Sequence, residues 1–342
     1  MFWKKGKRNG SNLVTLFQTF SMGSHPYRSS LSGIDFTNSE TLRDVLSQDK
    51  HTRVEGLCSE VVFMEDIVEG NLSPITFDIW FIVKGGGYKV MKMLVVNDKP
   101  MSELDIIVMD HLADAPGTVE TSVVRFDSST NTFWEFIYVK GQLEEEGSVW
   151  PLHGEVEISE LKYRNPERLR KATAFLEERG LLREAAIKRI FANCVLPPWG
   201  VWDLDAITMV GSMPVAFEVK HKYPTWDKEY GVNDAQGRLF AYLHGAGMPV
   251  IHIILEKPMG RKDLSAIDLM SMPQYIGEAR WLYTPLGPEQ LSGPVKMAPV
   301  GTAIHAGREV PYRPVDEKEF KVLKRLYEKD PDVRSKLLEG LL

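Results

Sequence analysis

The chain has 342 residues, of which 43% are hydrophobic and 26% are charged, a composition typical of globular proteins and a length that allows two domains. With 47 acidic against 41 basic residues, the net charge of −6 gives no global nucleic-acid-binding signature, so anion binding has to be local. No apolar run approaches the ~20 residues that span a bilayer, and no apolar secretory segment opens the chain. Two cysteines are too few for a disulfide framework or a cysteine-rich zinc site. The sequence therefore predicts a soluble, cytoplasmic protein.

The first half of the chain divides into a basic arm and a β-rich segment. Residues 1–35 are polar and rich in Lys, Arg, Ser and Gly, which predicts a loosely ordered arm. Residues 36–160 contain short β-branched and aromatic runs, separated by turn residues, that predict a mostly antiparallel sandwich or barrel, with a hairpin at the glycines 85–87. These runs are "LCSEVVFMED", "ITFDIWFIVKGGGYKVMKMLVV", "LDIIVMD", "TSVVRF" and "TFWEFIYVKG".

A basic helical segment follows. Asn165 can cap a helix, Pro166 suits its first position and Gly180 interrupts it, so we expect one broken helix or two consecutive helices. Residues 161–192 hold nine Lys or Arg against four Glu. Two interpretations remain open, a solvated helix face with ion pairs or a surface that contacts phosphates. The phosphate interpretation uses Arg168, Arg170, Lys171, Lys188 and Arg189.

Acidic residues interrupt the next two apolar runs, "VWDLDAITMV" and "PVAFEVKHK", which flank a Gly-Ser-Met turn. Side chains two residues apart in a strand share a face, so Asp203 lies with Asp205 and Glu218 with Lys220. Antiparallel pairing can bring all four together. Converging carboxylates repel one another unless a cation separates them, and hard oxygen ligands suit Mg²⁺ or Mn²⁺. The lysine could orient a water or neutralise an anionic intermediate.

The chain continues with the aromatic connection "HKYPTWDKEYGVND", a helical pattern "AQGRLFAYLHGAG" and the apolar run "PVIHIILEKP". A connection of 14 residues is long for a strand-to-helix link, and its aromatic residues predict an ordered segment. Trp226 either stacks on an unpaired base or packs on the core, and these alternatives are equally supported.

The order helix, strand, strand, helix, strand around Asp-x13-Glu-x-Lys resembles the PD-(D/E)xK nuclease superfamily over roughly residues 165–257. The resemblance implies a restriction-endonuclease-like α/β fold with a mixed sheet flanked by helices, and a Mg²⁺- or Mn²⁺-dependent phosphodiesterase acting on DNA. Glu218 and Lys220 match the Glu-x-Lys of the family, and Asp205, followed by Ala and Ile, matches its Asp. These three residues are the implied catalytic set.

The resemblance also implies further site residues. The metal ligands would be Asp205, Glu218 and the Val219 carbonyl, with Asp203 as the rival assignment and Glu184 as an additional ligand from the preceding helix. Gln236 and Tyr242 resemble the Gln-and-Tyr helix of the exonuclease branch, although the tyrosine is offset from the usual spacing. Lys222, Trp226, Gln236 and Tyr242 would contact nucleic acid.

The predicted organisation is thus a β-rich domain, a nuclease core over 161–260 and an extension over 261–342. Apolar residues at 320, 323, 326 and 327, with Asp316 as a cap, predict a C-terminal helix that docks on the core, on a second copy or on a partner protein. Two other interpretations stand: a nucleic-acid-binding or assembly module without turnover, or solvent-facing Glu218 and Lys220 on an edge strand with Asp203 and Asp205 capping a turn.

Overall fold

The structure, a computed structural model, describes residues 34–68, 79–95, 100–150, 165–196, 200–261, 263–298, 309–339 and 341. The predicted arm, apart from residues 34 and 35, and the segment after the acidic turn at 142–148 lie outside the described residues. The helices are α1 (Ser39–Ser47), α2 (His51–Phe63), α3 (Glu103–Ala113), α4 (Pro166–Glu178), α5 (Leu182–Ile190), α6 (Asp234–Gly245), α7 (Ala266–Ser271), α8 (Pro273–Ile276), α9 (Pro288–Ser292) and α10 (Val333–Leu338). The π-helical turns Met64–Val68 and Phe191–Val195 continue α2 and α5.

Within the described ranges the strands form three sheets. They are β1 (Ile79–Lys84), β2 (Tyr88–Leu94), β3 (Thr118–Asp127), β4 (Thr132–Val139), β5 (Gln142–Leu143), β6 (Ser148–Val149), β7 (Val201–Leu204), β8 (Ala206–Val210), β9 (Met213–Lys222), β10 (Glu229–Asn233), β11 (Val250–Glu256), β12 (Arg280–Leu286), β13 (Lys296–Ala298), β14 (Val310–Asp316) and β15 (Lys321–Arg325).

The first sheet has the order β5-β4-β3-β2-β1-β7, with β6 beside β4. Strands β1 and β2 form the predicted hairpin, β2 and β3 are parallel, and β7 pairs antiparallel with β1. Segments on both sides of residue 160 therefore share one sheet. It is mixed, and helices accompany it, so the predicted antiparallel sandwich is not what the first half of the chain forms.

The second sheet has the order β15-β12-β11-β9-β8, and its central strands β9 and β11 are parallel. Alternate residues of these strands enter two different cores. Phe217, Val219 and Ile253 pack in the cluster that contains α2, whereas Ala216 and Ile254 pack with the apolar side of α6. The chain is therefore an α/β protein with mixed sheets flanked by helices, as predicted. The third sheet has the order β10-β14-β13.

Three of the predicted elements are wrong. "LCSEVVFMED" lies in α2 and its π-helical turn, and "LDIIVMD" lies in α3. Helix α3 begins with a capping box in which Ser102 and Asp105 bond to each other's backbone N–H groups, a local signal that outweighs the β-branched content. Over residues 320–327 the predicted C-terminal helix is instead strand β15, because residues 321–325 pair with β12, and Asp316 caps a short 3-10 turn. The extension does contain a short helix near its end, α10.

Candidate metal and active site

Asp205 lies where the first two sheets meet. Strand β7 ends at Leu204, the backbone bends at Asp205, and β8 begins at Ala206. Strand β8 pairs with β9 only as far as Phe217, so the N–H of Val219 has no strand partner on that side. It donates instead to Asp205 Oδ2 over 2.7 Å. The bend thus turns a carboxylate toward the uncovered part of β9.

Glu218 and Lys220 meet Asp205 at this place. Lys220 Nζ lies 3.1 Å from Asp205 Oδ2 and also contacts Glu218 Oε1. Gln236 of α6 donates from Nε2 to Glu218 Oε1 over 2.5 Å. Strand β9 is central in its sheet and Glu218 is 1% exposed, so the interpretation of a solvent-facing pair on an edge strand is wrong. The structure brings the three predicted residues to one point.

Helix α2 contributes a carboxylate that the sequence analysis missed. Oxygens of Glu60, Asp203 and Asp205 all lie within 4.8 Å of one another. Lys188 of α5 joins two of them, with Nζ 2.9 Å from Asp203 Oδ2 and 3.2 Å from Glu60 Oε2. An available signal was the acid itself, since Glu60 interrupts an apolar run just as Asp205 and Glu218 do.

The cluster carries more negative than positive charge. Four carboxylates, on Glu60, Asp203, Asp205 and Glu218, contact two ammonium groups, on Lys188 and Lys220. Burial raises the pKa of Glu218 to about 7, with a further contribution from the charge of Asp205. Burial also raises the pKa of Glu60 to about 8, against the opposing effect of Lys188. Lys188 outweighs the effect of burial on Asp203 and holds the pKa of that carboxyl well below its usual range. The local environment therefore disfavours ionisation of Glu60 and Glu218 but not of Asp203, and a further cation would favour the ionised form of all of them.

The residues present fit a divalent ion. Glu218 Oε2 is buried and has no hydrogen-bond partner in the part of the chain that the structure describes, although such atoms are almost always satisfied in folded proteins. The surrounding donors are carboxylate oxygens, which Mg²⁺ and Mn²⁺ prefer over the nitrogen and sulfur ligands of zinc sites. An unsatisfied acceptor beside excess negative charge is consistent with a cation site.

The other predicted metal ligands differ in position. Asp203 belongs to the cluster. The Val219 N–H binds Asp205, and the metal-ligand role of the Val219 carbonyl stays a prediction. Glu184 lies one turn before Lys188 on α5 but outside the group of close acids found among the described residues. Glu60, which reaches the cluster from α2, lies close to Asp203 and Asp205 instead.

Most basic residues of the predicted phosphate-contacting face form ion pairs with acids of the protein itself. Lys188 and Arg189 are buried, and Arg189 pairs with Asp49. The other three basic residues differ in their surroundings: Arg168 is bound to Glu55, Lys171 lies 2.9 Å from Asp268, and Arg170 is exposed. Because α4 and α5 pack against the acid-bearing segment α1–α2, both the surface interpretation and the solvated-face interpretation are wrong for Lys188 and Arg189.

The residues predicted to contact bases are also divided. Tyr242 is buried, stacks on Tyr88 with ring centroids 3.9 Å apart, and shares a 2.6 Å hydrogen bond with Thr118, so it is a packing residue. Gln236 points to Glu218, as described above. Lys222 donates to the Gly231 carbonyl over 2.7 Å, and burial together with the charge of Lys220 lowers the pKa of Lys222 to about 8.

The aromatic connection after β9 contains the strand β10 and a short turn. Tyr230 is buried, packs on Phe320 and donates to Glu256, whereas Trp226 at the turn is 87% exposed. Two backbone hydrogen bonds hold the turn, from the Thr225 N–H to the Glu229 carbonyl and from the Lys228 N–H to the Thr225 carbonyl. Packing on the core therefore describes Tyr230 and is wrong for Trp226.

Comparison with known proteins gives no match for this chain among protein-family models, curated proteins or solved structures. No helix within the described ranges is both long and apolar enough to cross a membrane.

Proposed function

We propose that the protein is a divalent-metal-dependent nuclease that hydrolyses phosphodiester bonds in DNA. The observation that carries the proposal is the contact of Lys220 with both Asp205 and Glu218, because these residues are 15 and two positions away in the chain and converge on one nitrogen. The parallel β9 and β11, joined through α6, agree with the element order on which the resemblance to PD-(D/E)xK nucleases rests. The restriction-endonuclease-like fold is part of this proposal.

The cation would be held by oxygens of Asp203, Asp205 and Glu60, which lie within 4.8 Å of one another, and Glu218 would border the site through its contact with Lys220. Mg²⁺ or Mn²⁺ bound there supplies charge that stabilises the phosphate in the transition state and lowers the pKa of a water molecule. Asp205 is held in place by the Val219 N–H, and Glu218 by Gln236. The protein thus positions both carboxylates before substrate binds. Preorganised charged groups of this kind usually make the largest single contribution to stabilising a transition state.

The protonation state of Lys220 limits the role that it can have in catalysis. Burial would lower the pKa of Lys220, but Asp205 and Glu218 outweigh that effect and raise it well above its usual value. The ammonium group therefore stays protonated at neutral pH and cannot remove a proton from water. It can orient the nucleophile and offset charge on the phosphate.

Cleavage of plasmid and linear DNA tests the proposal. We expect Mg²⁺- or Mn²⁺-dependent cleavage that a chelator stops, and a loss of about a hundredfold or more in Glu218→Gln and in Lys220→Met, because each substitution removes a group at the reacting centre. Glu135→Gln is a control at another buried acid, and Lys336→Met is a control with nearly the same lysine exposure, 37% against 35%.

Two results would contradict the proposal. Equal cleavage by the wild type and the Glu218 variant would place the chemistry elsewhere. DNA binding without cleavage under either metal would favour the module without turnover, in which Lys220 neutralises the two acids for stability alone.

A further inference from the structure

Lys188 lies inside the acidic cluster and contacts two of its three closely spaced acids. Its Nζ lies 2.9 Å from Asp203 Oδ2 and 3.2 Å from Glu60 Oε2. The lysine is 4% exposed, so its interaction with these acids is only weakly screened. It belongs to α5, whereas Glu60 belongs to α2 and Asp203 to β7. A single ammonium group thus joins carboxylates from two other elements of the fold.

The position of this ammonium group resembles that of one ion in a two-metal site. In such sites two cations lie about 3.5–4 Å apart, and a carboxylate can bridge them by presenting one oxygen to each. Asp203 and Glu60 each present an oxygen to Lys188, and the same two acids lie within 4.8 Å of Asp205 in the group that fits a cation. The two carboxylates can therefore bridge Lys188 and one metal ion.

The charge of the cluster also matches one divalent ion. Its four carboxylates and two ammonium groups leave a net charge of −2 when all six are ionised. Arg189, the neighbour of Lys188, is paired with Asp49 and so adds no net charge. One divalent ion balances the cluster before substrate binds. A second ion would leave an excess positive charge in a buried place, which is unfavourable without a counter-ion.

We propose that Lys188 takes the place of a second metal ion, so that the site binds a single divalent cation. This inference rests on the proposed metal-dependent nuclease and specifies how many ions it uses. Lysine carries a positive charge at neutral pH, and neighbouring carboxylates favour that charged form. Lys188 is a positioning residue, because it acts through Asp203 and Glu60, whose orientation its charge fixes.

Titration with Mn²⁺, followed by calorimetry and electron paramagnetic resonance, tests the inference. We expect one Mn²⁺ per chain in the wild type and in Lys188→Arg, which keeps the positive charge. Lys188→Met should bind two, because the released oxygens of Asp203 and Glu60 accept a second ion, and the two ions should show the magnetic coupling of a carboxylate-bridged pair. Lys92→Met is the matched control. Lys92 is also buried and lies 2.8 Å from Asp105, away from the cluster, so this variant should still bind one ion.

A second uncharged variant guards against misfolding of the first. Lys188→Gln loses the charge but keeps an amide that can donate a hydrogen bond to one of the acids, and it should also bind two ions. Two ions in the wild type, or one ion in either uncharged variant, would overturn the inference and leave the proposed metal site in place. Absence of Mn²⁺ binding in the wild type would instead contradict the metal site itself, and with it the proposed nuclease.

Discussion

Lys188 is predicted from the sequence to lie on the surface, but it is buried and pairs with buried or partly buried acids. Its ammonium group joins Asp203 to Glu60, two acids that would otherwise repel each other in a buried place. Helical periodicity places Lys188 beside other basic residues, but one of its two acidic partners, Glu60, lies 128 positions earlier in the chain. No local pattern could reveal that pairing, since it depends on the fold bringing α2, which packs on α4, near α5, which packs on α1.

Removing this lysine should therefore destabilise the protein. We expect Lys188→Met to lower the free energy of unfolding by about 3–5 kcal/mol, because it leaves a buried carboxylate unpaired. Adding Glu60→Gln should restore part of the loss. Urea denaturation measures both effects. Lys171→Met is the control, because Lys171 is 34% exposed and its ion pair with Asp268 is expected to contribute less than the buried pair of Lys188; equal losses in the two single variants would contradict the interpretation.

The lowered pKa of Lys257 predicts how the stability of the protein depends on pH. Burial, together with the charge of Arg168, lowers the pKa of Lys257 from 10.5 to about 8. Between these values the unfolded chain binds more protons than the folded one, so stability rises with pH in that window. The charged and titratable groups that influence Lys257 are Arg168 of α4, Glu55 and His51 of α2, His221 of β9, and Asp263 and Asp268 at α7.

We therefore expect the wild type to gain stability relative to Lys257→Met as the pH rises from about 8 to about 10.5. At neutral pH the variant should be at least as stable as the wild type, because burial disfavours the charged form of the lysine that it removes. Denaturation curves across this range check both statements. A variant that is less stable at neutral pH would mean that the lysine is paired.

At the scale of elements, local signals predicted most helices and strands correctly where alternation or capping was strong. The hairpin β1–β2, the capped helix α4 and the strands β8 and β9 follow directly from turn residues, Asn165 and alternating apolar residues. Helices α2 and α3 were predicted as strands because apolar β-branched residues were weighted above the capping box at Ser102. Strand β15 was predicted as a helix because its partner β12 lies distant in the sequence.

Two aromatic residues of the connection after β9 are expected to have different roles, since Tyr230 of β10 is buried and Trp226 of the preceding turn is exposed. Tyr230→Ala should lower the free energy of unfolding by about 3–5 kcal/mol, as for other buried aromatic residues, and Trp226→Ala should change it by less than about 0.5 kcal/mol. If Trp226 stacks on an unpaired base, its variant should weaken single-stranded DNA binding by roughly 1–3 kcal/mol. Thermal stability and fluorescence binding assays give the two readouts. A stability loss in the Trp226 variant would contradict its exposure.

At the scale of the whole molecule, the candidate site lies where two sheets and a helix meet. Asp203 comes from β7 of the first sheet, Glu218 from β9 of the second, and Glu60 from the helix that packs on the second sheet. Alternation within strands predicted which side of β9 carries Glu218 and Lys220, since that relation is local. Strand alternation could not predict the bend at Asp205 or the position of Glu60 in the cluster, because both result from the way the sheets and α2 pack together.

This arrangement predicts that a divalent cation stabilises the entire fold. An ion that binds only the folded chain adds about 2.7 kcal/mol to the free energy of unfolding at a concentration of 100 Kd, and here it would connect two sheets and a helix. We expect Mg²⁺ or Mn²⁺ to raise the melting temperature, KCl at equal ionic strength not to do so, and Asp205→Asn to remove the effect. Glu135→Gln, at a buried acid on β4, should keep the increase. An equal response in Asp205→Asn and the wild type would place the ion elsewhere, and no response in the wild type would mean that Lys188 and Lys220 alone balance the acids.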